Sequence, residues 1–204
     1  MLKVVKFSSF LLIASFFIAC AGHKQAMQKL PSELEQLNID CKRDSLSFEL
    51  DCYDFIANKN SFAMLRLGID AQNKGKVDEA LERYTKAKNA GNFYANALLS
   101  SLYGNGIGVE FDEKKSINLL KDVEEVDPIA AYRLSFYYFS NNNPNKAIEL
   151  LVFAALEGVK DAQKDLVLIF SNGQYVDIDE EKSMYYDSLY QNGEEDFTKK
   201  IYGR

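Results

Sequence analysis

The stretch "ANALLSSLYGNGIGVEFDEKKSINLLKDVEEVD", Ala95–Asp127, decides the fold. Ala95, Leu99, Ser100 and Tyr103 fall on one face of a helix. Gly104, Gly106 and Gly108 follow within five residues. A phosphate-cradling loop would need a strand before it and, in its Walker form, Gly-Lys-Ser/Thr at its end. Here the preceding residues have helical spacing and no such lysine follows Gly108. The glycines therefore read as a turn between two helices. Asp112 is placed to cap the second helix, where Ser116 and Val123 again share a face.

The same layout recurs on both sides of this stretch. Segments beginning at Ala63, Ala95, Ala130 and Ala162 lie 32, 35 and 32 residues apart, a period that belongs to helix-pair solenoids. Four residues after each alanine comes Leu67, Leu99, Leu134 or Leu166, then a mostly small residue, Gly68, Ser100, Ser135 or Val167. A second small residue sits in each following helix: Ala80, Ser116, Ala147 and Ser183. Small residues let neighbouring helices approach closely. Gly91, Gly158 and Gly193 stand where helices must stop. Asp127-Pro128 and Asn143-Pro144 read as helix starts, with proline in the first turn. Asp112 and Asp179 read as N-caps, and Gly173 marks the turn of the fourth segment. The acidic run Asp177–Glu181 lacks the ladder of an EF-hand and reads as a solvated helix start.

This pattern resembles the Sel1-like repeat. The second segment carries it best, through Ala95, Leu99, Tyr103, Gly106, Gly108, Val109, Asp112, Lys115 and Ser116. The fourth keeps Ala162, Leu166, Gly173, Val176, Asp179, Lys182 and Ser183. The first and third are four residues shorter at the turn and look more like tetratricopeptide repeats. The resemblance implies an all-α, right-handed helix-pair solenoid of about four repeats over residues 62–193. Segments 32–61 and 194–204 are expected to cap it. Ser32 and Glu35 read as a capping box opening one cap helix, and 46–57 as a second. Glu194 to Tyr202 reads as a polar last helix with Phe197 and Ile201 turned inward.

The N-terminus reads as an address. Lys3 and Lys6 precede an apolar run from Phe7 to Ala19, too short to span a bilayer comfortably and suited to a signal peptide. Ala19-Cys20 resembles a bacterial lipobox, although Phe17 and Ile18 depart from it. The resemblance implies removal of 1–19 and lipidation of Cys20. Residue Ala21 then implies release to the outer membrane, facing the periplasm, with 20–31 as a polar tether. Cys41 and Cys52 are an even pair in an oxidising compartment and read as a structural disulfide.

Composition narrows the function. The net charge of −6 argues against nucleic acid. A lone histidine, His23, and three cysteines leave little for a zinc site. No catalytic constellation stands out, and no cofactor or metal is expected. In helix-pair solenoids the first helices line the concave side. That places Ile69, Ser101, Phe136 and Leu168 at one equivalent position there, with Arg66, Tyr94, Tyr132, Arg133 and Phe139 nearby. Two readings stand for these residues: a groove for a protein or peptide, or deeper packing between helices. The resemblance implies an adaptor rather than an enzyme. One alternative is an immunity protein that neutralises a toxin delivered to the periplasm. Another is a cell-wall or β-lactam hydrolase, but such relatives carry a cysteine pair in each repeat and this chain has none within its repeats.

Overall fold

The computed structural model describes residues 8–42 and 45–203, with side chains from residue 23 onward. Eleven helices and no strand occur among them. Helices α1 (Ser8–Cys41) and α2 (Leu46–Ile56) precede the repeats. Four pairs follow: α3 (Ser61–Asn73) with α4 (Val77–Asn89), α5 (Ala95–Asn105) with α6 (Glu113–Lys121), α7 (Pro128–Ser140) with α8 (Pro144–Leu156), and α9 (Lys160–Asn172) with α10 (Glu180–Asn192). Helix α11 (Phe197–Tyr202) closes the chain. The expected all-α solenoid is what these pairs build.

One hydrogen bond closes all four repeat turns. The N-cap residue of each second helix donates its N–H to the carbonyl of the position eight after the starting alanine. These bonds are Lys76 to Ala71, Asp112 to Tyr103, Asn143 to Tyr138 and Asp179 to Phe170, each 2.9 Å. Long and short turns thus satisfy the same orphan carbonyl at the end of a first helix. The long turns need glycine to do so. Gly106 and Gly173 cap α5 and α9 in the left-handed region, at φ 62° and 66°, where a side chain would be strained. The Asp112 and Asp179 carboxylates accept Lys115 N–H at 2.8 Å and Lys182 N–H at 3.0 Å, as N-caps do.

The two long repeats share a second device. Ser116 donates to the Ser100 carbonyl at 2.9 Å, and Ser183 to the Val167 carbonyl at 3.2 Å. In the short repeats Ala80 and Ala147 occupy that position, both fully buried. Gly68 lets α3 lie against the ring of buried Tyr84, whose Cε1 would stand 2.6 Å from an added Cβ. Packing along the array follows from the buried leucines Leu65, Leu99, Leu102, Leu134, Leu150, Leu151 and Leu166. Each contributes roughly 1.5–3 kcal/mol on leaving water.

Several local expectations are corrected. Ser32 does not start a helix; it lies inside α1 and its hydroxyl donates to the Lys29 carbonyl at 2.8 Å. Buried Ala26, Leu30, Leu34, Leu37 and Cys41 form one stripe that carries the helix through Ser32. Residues 23–31, expected as a tether, are therefore helical and partly packed on the body. Gly104 is not a turn residue. It sits in α5, where an added Cβ would meet Ser116 Oγ at 2.7 Å, so it serves close helix approach. Gly193 ends α10 in an extended conformation, φ −71°, rather than a left-handed one. Cys41 and Cys52 form the expected disulfide, with Cα atoms 5.5 Å apart, and it ties α2 to the end of α1. Lys3 and Lys6 lie outside the described residues, as does the side chain of Cys20.

Candidate protein-binding face

First helices α5 and α7 touch each other, while α4, α6 and α8 each meet their own first helix and the next one. That arrangement sets the first helices on the inner side of the curve. The nine residues expected on this face divide into two groups.

The first group is covered by the chain's own C-terminus. Helix α11 does not cap the last repeat as expected; it runs back to pack on α3. Arg66 donates to the Tyr53 hydroxyl at 3.0 Å and to the Lys200 carbonyl at 3.3 Å. Arg66 and Ile69 line a hollow of about 250 Å³ with Tyr202 and Gly203. Tyr94 stacks at a tilt between Phe93 and Phe197, with ring centres 4.5 and 6.0 Å away, and its carbonyl accepts the Tyr202 hydroxyl at 2.9 Å. Arg133 stands between the two groups: it donates to the Ala97 carbonyl, which fixes α7 to α5, and it also lines an open groove beside Phe136.

Beneath this closure lies Asp127, fully buried at the start of α7. Its Oδ1 accepts the Ile129 N–H at 2.9 Å, and its Oδ2 has no hydrogen-bond partner among the described residues. Burial pushes its carboxyl up to about 7, against the pull of the Ile129 and Ala130 amides and the Arg133 guanidinium. Burial also raises the Tyr94 and Tyr202 phenols, with the Asp127 charge adding to the effect.

The second group stays open. Phe136 is 49% exposed and Leu168 57% exposed. Ser101, Tyr132 and Phe139 are half-buried. Tyr132 braces the stripe: its ring meets Phe136 edge-on at 5.1 Å, and burial together with the nearby Asp165 of α9 raises its phenol. Phe139 stacks on Tyr175 of the fourth turn at 4.3 Å. Phe136 also edges a groove of about 600 Å³ that Ser101, Asn105, Phe111, Arg133 and Tyr137 help to line. Phe111 is 62% exposed and was not singled out by the sequence pattern. Its position between Gly108 and Asp112, inside a turn that has no counterpart in the short repeats, is the signal that could have found it.

Two glycines of the second repeat serve close approach beside the groove or behind it. Gly104 lines it directly. Gly108 passes so close to Val77 that a Cβ there would overlap the valine side chain. Among the described residues no group of three or more His, Cys, Asp or Glu side chains is placed to hold a metal ion. The arrangement offers shape and apolar contact.

No family model matches the chain, and no curated protein matches it. Solved structures do. A Sel1 repeat protein from Oxalobacter formigenes aligns over 89% of this chain and 76% of its own, with a TM-score of 0.63 at 18% identity. A protective antigen with an SLR fold, present in uropathogenic Escherichia coli strains, aligns over 82% of this chain with a TM-score of 0.57 at 26% identity, and the match spans 39% of that longer antigen. An immunity protein from Pseudomonas aeruginosa aligns over 86% of this chain and 87% of its own, with a TM-score of 0.50 at 19% identity. The chain shares the helix-pair solenoid fold of these Sel1-like repeat structures.

Proposed function

We propose that the chain is a protein-binding adaptor of the bacterial cell envelope, anchored through a lipid on Cys20 and facing the periplasm. The observation that carries the binding role is the open stripe of Phe136 and Leu168 beside the groove under Phe111. Large apolar side chains left exposed on a rigid repeat face suit docking of an extended segment or a helix. The net charge of −6 favours basic partners. The anchor is supported by the lysine-led apolar run and by Ala19-Cys20.

The test is affinity capture from envelope extracts with the wild-type chain and with Phe136→Ala/Leu168→Ser. A protein enriched at least about tenfold by the wild type and lost from the variant is the expected result. Equal capture by both, with helicity unchanged by circular dichroism, refutes the stripe as the binding face. A second reading is immunity against a delivered toxin, favoured by the fold and length shared with the Pseudomonas aeruginosa immunity protein. It expects the chain to protect cells against a toxin encoded beside its gene, and protection to fail in the same variant.

A further inference from the structure

The way α11 is held points to a second recognition site, independent of the open stripe. Its bonds reach the junction after α8, the starts of α5 and α9, and the middle of α3. Phe197 N–H donates to the Gly158 carbonyl at 3.0 Å. Lys160 N–H donates to Asp196 Oδ1 at 3.2 Å. Arg66 reaches the Lys200 carbonyl, and Tyr202 reaches the Tyr94 carbonyl. Ile201 and Tyr202 are buried, while Lys199 and Lys200 face outward. Lys200 shares a hollow of about 470 Å³ with Glu35 and Asn38 of α1. The linker that delivers this segment, Gly193 to Glu195, is exposed.

These are the contacts of a ligand. Two buried apolar side chains anchor one face, a phenol and the backbone fix the register, and two lysines meet an acidic chain. We propose that the inner face formed by α3, the start of α5 and the α8–α9 junction, with α1 at its edge, is a recognition site for a short helix with this chemistry: an aromatic residue, then Ile-Tyr-Gly four residues on, with lysines between them on the outer side. Residues 196–203 occupy it in cis. A protein partner presenting such a segment exchanges with them.

The experiment uses the full chain with a protease site inserted in the exposed linker and cut after folding. A fluorescent synthetic peptide of residues 194–204 is then added, and its anisotropy is followed. Saturable uptake at one peptide per chain is expected in the cut protein, with less than about a tenth of that uptake in the uncut chain. The peptide carrying Tyr202→Ser should bind about tenfold more weakly or worse, having lost its buried anchor. No exchange over a day in large excess would make α11 a permanent core element and overturn the proposal. Equal uptake by the uncut chain, or by the Tyr202→Ser peptide, would also overturn it. The open stripe takes no part in this assay, so its failure would leave the reading of Phe136 and Leu168 standing.

Discussion

Replacing Asp127 with asparagine should change how stability depends on pH. The carboxyl is fully buried, and burial lifts it from an ordinary 3.8 to about 7. The native state therefore keeps a proton that the unfolded chain releases. Stability from this group is fully present below about 4, falls as pH rises, and is lost once pH passes about 7. The gap between those two values corresponds to roughly 4 kcal/mol at most. An asparagine side chain at this position would have no charge to bury and could still accept the Ile129 N–H as a cap. Urea unfolding of both proteins between pH 4.5 and pH 8, followed by circular dichroism, reads the difference. The variant should match the wild type at the acid end and exceed it by about 2–4 kcal/mol at the alkaline end. Other carboxylates cancel in this comparison because both proteins carry them. Tyr202 of α11 is itself buried and lies within electrostatic reach of Asp127. Parallel pH curves, or a variant that is weaker at pH 8, would refute the account of a sealed inner face.

Three more outcomes follow from the geometry. Gly106→Ala places a side chain at φ 62° and should cost about 1 kcal/mol, seen as a fall of a few degrees in melting temperature. Reducing the Cys41–Cys52 disulfide opens a loop of 11 residues and should cost roughly 2–3 kcal/mol, releasing α2 first in hydrogen exchange. Phe136→Ala/Leu168→Ser alters exposed positions and should change stability by less than about 1 kcal/mol in urea.

Much of this was legible in the sequence because it is local. The repeat register, the caps at Asp112 and Asp179 and the left-handed glycines at 106 and 173 each depend on neighbours a few residues away. The Cys41–Cys52 pair was legible once Cys20 was set aside as the lipidation site in an exported chain. The start of α1 was not, because a strong cap signal at Ser32 competed with an apolar stripe running from Ala26 to Cys41, and burial of the stripe won. Gly104 belonged to a glycine cluster by eye, yet only its distance to Ser116 reveals its role. The path of α11 was least visible. Its contacts to Arg66 and Tyr94 join residues 134 and 108 positions apart, beyond the reach of any periodicity. That path is why Arg66, Ile69 and Tyr94 are covered while Ser101, Tyr132, Phe136, Phe139 and Leu168 stay open.

The binding role is tested most directly by photo-crosslinking in cells. A photoreactive residue would replace Phe136 or Leu168 on the first-helix face, and Glu149, exposed on α8, would be the control. Discrete protein adducts at 136 and 168, with none at 149, are the predicted result. No adducts at 136 and 168, or the same adducts at all three positions, would contradict it.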